Sequence, residues 1–92
     1  MPRPCKRRRI YGKINSNYFK PAGTPIKQLQ EIILNISEFE VIRLIDFKEI
    51  SQEDAGKQMQ ISQPTLSRIL KSARQKISDA IINGKAIKIE KR

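Results

Sequence analysis

The sequence has no histidine, no tryptophan, one cysteine and five other aromatic side chains, two Tyr and three Phe, among 92 residues. A structural zinc site needs about four Cys or His ligands, so zinc is excluded. A disulfide framework is excluded as well, which fits a reducing cytoplasm. The lone Cys5 stands beside Lys6, Arg7, Arg8 and Arg9, where a thiol can be acidified, but it reads as an incidental tail residue. Without histidine or clustered carboxylates, no acid–base or nucleophile constellation forms, so an enzyme is not expected, nor a cofactor. No apolar run approaches the ~18 residues of a membrane span. The charged N-terminus is not followed by a hydrophobic segment, so no secretory signal is expected. These absences predict a cytoplasmic protein with no membrane partner.

What the sequence does have is positive charge. Nineteen Lys and Arg stand against nine acidic residues, a formal charge of +10 with a pI near 10.2. That balance favours polyanions, nucleic acid before any membrane surface. The charge is segregated: residues 1–30 carry eight basic and no acidic residues, 31–54 two and seven, 55–92 nine and two. Such segregation suggests one face for a polyanion and another for packing or partners.

A chain of this length allows one small domain. Residues 1–23 hold Pro2, Pro4, Pro21, Gly12 and Gly23 and show no helical period, which predicts an extended basic arm. Ile10, Tyr11, Tyr18 and Phe19 are its candidate anchors. Residues 24–92 form the expected domain. Thr24-Pro25 looks like a helix start, and Ile26, Leu29, Ile32, Ile33 and Ile36 follow at helical spacing, which predicts a short helix over about 25–34. Ser37-Glu38-Phe39-Glu40 reads as a capping box opening a helix to about Phe47, the hub of the core.

Ser51 caps a further helix ending about Met59, and Gln60-Ile61 make a tight turn. Ser62 then caps a long helix to about residue 83. Leu66, Ile69, Leu70, Ala73, Ile77, Ala80 and Ile81 all fall within about 60° of one line on that helix. Asn83-Gly84 stops it. Ala86–Glu90 alternates as one short strand, which needs a partner from the arm or from a second subunit.

Helix, three-residue turn and long helix over about 51–72 is the helix-turn-helix layout. The last helix presents Gln63, Pro64, Ser67 and Arg68 as base-reading candidates. Ser62, Thr65, Lys71 and Arg74 are phosphate candidates. Lys6, Arg7, Arg8 and Arg9 of the arm are candidates for a second contact in a minor groove. Expected partners are double-stranded DNA and a second copy of the chain, because one reading helix makes few base contacts. Two alternatives stay open. An RNA- or ribosome-binding role suits the charge, although few aromatics are present to stack on bases. An adapter to RNA polymerase could use the acidic 38–54 segment.

Ser51-Gln52-Glu53-Asp54-Ala55 through Ile61-Ser62-Gln63-Pro64-Thr65-Leu66-Ser67-Arg68-Ile69-Leu70 resembles the helix-turn-helix of sigma-factor region four. Over the whole chain, four further stretches are similar to a family of small archaeal and bacterial proteins. They are Met1-Pro2-Arg3-Pro4, Arg7-Arg8-Arg9-Ile10, Tyr18-Phe19-Lys20-Pro21-Ala22-Gly23 and Gly84-Lys85-Ala86. That family is the domain of unknown function numbered one hundred thirty-four, described as predicted DNA-binding. The resemblance implies a mainly all-α fold of three to four helices, and a regulator-like role with no known target. Two residues depart from it: Gln60 stands where relatives carry Gly in the turn, and Gln63 where Arg is expected.

Overall fold

The apolar residues from Ile26 to Ile36 satisfy a helical spacing, yet the second half of this stretch is a strand. The computed structural model describes residues 9–90, and in it only Ile26–Gln28 make a single 3₁₀ turn. Glu31–Asn35 are extended as strand β2; β1 is Tyr18–Phe19 and β3 is Ala86–Glu90. The helix expected over 25–34 is therefore corrected. Ile32 and Ile33 are β-branched and stiff at χ1, which suits a pleated surface. They pair in parallel with Ile87 and Lys88, far along the chain.

The sheet order is β1-β3-β2, with β1 antiparallel to β3. The C-terminal strand is thus central, flanked by one strand from the arm and one from the segment read as helix. Ile32, Leu34, Ile87 and Ile89 share its inner face by register, and Phe19 joins them opposite Ile87. On the outer face the Tyr18 hydroxyl donates to Glu31 Oε2 at 2.7 Å, spanning the central strand.

A helix follows β2 directly. Helix α1, Ile36–Val41, continues into a π-helical turn, Ile42–Phe47. Its cap is Asn35 rather than Ser37: Asn35 Oδ1 accepts from Glu38 N–H at 2.8 Å, and Glu38 Oε1 accepts from Asn35 N–H at 2.9 Å. The sequence holds two overlapping capping boxes, and the one that lets β2 run straight into the helix is used. Helix α2 is Gln52–Met59 and α3 is Gln63–Asn83, ended by Gly84 at φ +66°.

The helices bury one cluster, Val41, Leu44, Ala55, Met59, Leu66 and Leu70. A second joins α3 to the sheet through Leu34, Ala73 and Ile89, and Ile42 touches both. Burying a Leu or Met of this kind contributes about 1.5–3 kcal/mol. Ile10 of the arm packs on the first cluster and Ile14 on the second, so the described part of the arm belongs to the core. Ile81, expected on the buried stripe of α3, is 71% exposed.

Candidate nucleic-acid interface

Three residues turn α2 into α3. Ser51 Oγ accepts from Asp54 N–H at 3.1 Å and opens α2. Gln60 closes it with φ 59° and ψ 45°, a left-handed conformation that costs a side-chain-bearing residue about 1 kcal/mol. Ile61 then leans on the helical core. Ala55 and Gly56 are buried where the two helices approach. A Cβ on Gly56 would stand 3.2 Å from the Ile61 carbonyl, so this glycine keeps the turn tight.

Ser62 caps α3: its Oγ accepts from Thr65 N–H at 3.3 Å and donates to Thr65 Oγ1 at 2.9 Å. Gln63 and Pro64 follow, both exposed. Pro64 has no N–H to leave unsatisfied in this first turn. Ser67 is exposed, and its hydroxyl donates to Gln52 Oε1 at 3.0 Å, tying α3 to the start of α2. Arg68 and Lys71 are exposed and join no ion pair among the described residues. Arg74 is different. Its guanidinium forks onto Asp46 at 2.6 and 3.2 Å, linking α3 to the π-helical turn. Ser67, Lys71, Arg74 and Gln75 line a shallow groove of about 440 Å³ beside Gln52.

The arm approaches the same end of the molecule. The Arg9 N–H donates to the Met59 carbonyl at 3.1 Å, one residue before the turn. The Arg9 side chain reaches the Tyr11 hydroxyl at 3.2 Å. Lys6, Arg7 and Arg8 lie outside the described residues.

Sequence reasoning missed the groups that hold this arrangement. Glu38 and Glu40 are buried carboxylates, 3% and 0% exposed. Glu40 accepts from Arg43 Nε and Nη2, both at 2.9 Å, and from the backbone N–H of Tyr11 and Gly12 at 3.0 and 3.1 Å. It thereby fastens the arm to α1. Glu38 accepts from Ser72 Oγ at 2.6 Å and Lys76 Nζ at 2.9 Å, fastening the start of α1 to α3. Burial alone would raise both carboxyl pKa values. Hydrogen bonds from Ser72, Lys76 and Asn35 to Glu38, and from Arg43, Tyr11 and Gly12 to Glu40, outweigh it and hold both below the ordinary range. The available signal was an acidic residue three before Arg43; its partners in the arm are 28 and 29 residues away.

Kinship adds to this geometry. Residues 1–91 match the family described as Protein of unknown function DUF134. The chain belongs to that family. A UPF0251 protein of Caldanaerobacter subterraneus subsp. tengcongensis is 50% identical over 90 residues, 98% of this chain and 76% of the relative. One from Thermoanaerobacter pseudethanolicus is 48% identical with the same coverage, and one from Dehalococcoides mccartyi 49% identical over 98% and 77%. No solved structure matches the chain. Among the described residues, no helix is long and apolar enough to cross a membrane. The names DUF134 and UPF0251 state no activity, so function has to be argued from the site itself.

Proposed function

We propose that this DUF134 chain is a sequence-specific DNA-binding protein, a cytoplasmic transcriptional regulator that lays the start of α3 in the major groove. One observation carries the proposal. The first two turns of α3 hold Gln63, Pro64, Ser67 and Arg68 out to solvent, with Lys71 just beyond, while Leu66 and Leu70 on the other side are buried. A capped helix that is anchored on one side and polar on the other is the element such grooves admit.

The roles follow from side-chain chemistry. Arg68 bridges guanine O6 and N7, and Gln63 pairs with adenine N6 and N7. Lys71 and the free N–H groups at the start of α3 take phosphates. Ser62 and Thr65 act by fixing that helix end, since their hydroxyls are bonded to each other. Ser67 meets its base edge while held by Gln52. The arm joins the fold beside the turn, at Arg9 and Met59, which suits Lys6, Arg7, Arg8 and Arg9 to an adjacent minor groove. The layout is of the sigma region-four kind, and two copies on a two-part site supply the specificity one helix lacks.

Selection of bound sequences from a random duplex pool at two salt concentrations tests this. A defined motif is expected to survive the higher salt, with half-sites about 10 base pairs apart. Enrichment of no motif, with single-stranded RNA displacing duplex equally well, would transfer the chain to the RNA-binding class.

A further inference from the structure

Phe47 is the most exposed large apolar side chain among the described residues, at 80%. It is not on a loose loop. Phe47 ends the π-helical turn, and the next residues are bonded back on it: Lys48 N–H to the Arg43 carbonyl and Ile50 N–H to the Leu44 carbonyl, both at 2.9 Å. Glu49 between them holds φ at +59°, a strained value for a residue with a side chain. A rigid, locally strained backbone therefore keeps a phenyl ring in water. π-Helical turns and such strain gather at functional sites.

Beside Phe47 the second core cluster is open. A groove of about 650 Å³ runs between α1, α3 and the inner face of the sheet. Phe19, Leu34, Phe39, Ile77, Ile87 and Phe47 itself line it. Phe19 is half exposed at its mouth, and past Phe19 a shallower cleft continues to Ile81, itself 71% exposed.

We infer that this face binds a second copy of the chain, each Phe47 seating in the partner's groove. The patch carries both a rigid knob and an apolar hole, which is what a twofold, self-complementary interface requires and what a one-sided ligand cleft does not. It also carries one pair of opposite charges, beside the exposed Lys48 that separates Phe47 from Glu49. Lys13 stands at the groove rim and Glu49 two residues after Phe47; both are exposed, and neither joins an ion pair among the described residues. With Phe47 seated in the partner's groove, Glu49 would be carried toward the Lys13 at that groove's rim. A stable dimer covers about 800 Å² per partner, roughly an eighth of this chain's 6363 Å². The interface leaves the reading face clear, since Ile77 lies nine residues and half a turn around α3 from Arg68.

The inference does not depend on DNA binding, and its test uses the full chain alone. Sedimentation equilibrium from low to high micromolar concentration is expected to give twice the 10.6 kDa chain mass at the upper end. Phe47→Asp is expected to weaken association about tenfold or more while leaving the thermal melt at low, monomeric concentration unchanged, because the ring touches little within its own copy. Ile82→Asp, equally exposed but outside the groove, is expected to leave association as it is. A chain monomeric throughout would overturn the inference, as would a dimer indifferent to Phe47→Asp. A monomer whose groove takes up the anionic dye anilinonaphthalene sulfonate, with uptake lost in Phe47→Asp, would assign the groove to a small apolar ligand instead.

Discussion

Arg43 closes on Glu40 with two nitrogens at 2.9 Å each, and the carboxylate it holds has no surface exposed to solvent. The same oxygens take the Tyr11 and Gly12 N–H groups, so one side chain satisfies a guanidinium and two backbone donors. Glu40→Ala orphans all of them. Breaking a buried pair costs about 3–5 kcal/mol, and because Arg43 stays partly exposed the lower figure is expected. Urea unfolding measures it; a loss under about 1 kcal/mol would show that the arm is not fastened there.

Acid should unfold the protein through these carboxylates. Glu38 and Glu40 have folded pKa values below their unfolded ones, so the stability they contribute is present above the unfolded value, about 4.3. It is lost as pH falls through the folded values. Stability should be level from pH 7 to about 5 and decline below about 4. The slope should flatten in Glu38→Gln. Melting temperatures across an acid series check the sign, and a protein that gained stability on acidification would contradict it.

Gln60→Gly is expected to stabilise the fold. The left-handed backbone at φ 59° costs Gln about 1 kcal/mol that Gly does not incur, offset in part by the greater freedom of Gly in the unfolded chain. A net gain of about 0.5 kcal/mol, a rise of two to four degrees in melting temperature, is roughly what a domain this small would show. Calorimetry measures it, and a fall in melting temperature would mean that the Gln60 side chain contributes contacts of its own.

On duplex DNA the basic residues of α3 should not be equivalent. Arg68→Glu is expected to abolish specific binding. Lys71→Ala should lower the slope of log affinity against log salt by about 0.9, the value of one phosphate contact. Arg74→Ala should lower it by less, because the fork onto Asp46 already neutralises that charge. Equal slopes for both variants would return Arg74 to the phosphate contacts.

The helical half of the fold was legible because its signals are local. Ser51 and Ser62 cap the helices they were expected to cap, Gly84 stops α3, and Ala86–Glu90 is a strand. The strand at Glu31–Asn35 was not legible, since its Ile and Leu spacing satisfies a helix equally well. Only the pairing with β3, more than fifty residues later, decides it. At the candidate interface the exposed face was foreseeable from the stripe opposite it. The bonds from Ser67 to Gln52 and from Arg74 to Asp46 were not, because they join elements 15 and 28 residues apart.

Lys76 has a consequence for the company the sheet can keep. The Ala86 N–H bonds the Gln30 carbonyl, so alternate residues of β2 face β3 and the Ile33 carbonyl faces outward. Lys76 Nζ sits on that carbonyl at 2.8 Å while also holding Glu38. An incoming strand would find its central acceptor taken and a partly exposed, ion-paired lysine in its path. At the opposite edge β1 offers two residues. A short sheet that exposes Ile33 is thereby given a blunted edge that disfavours edge-to-edge pairing, and the lysine that locks α3 to α1 is the guard.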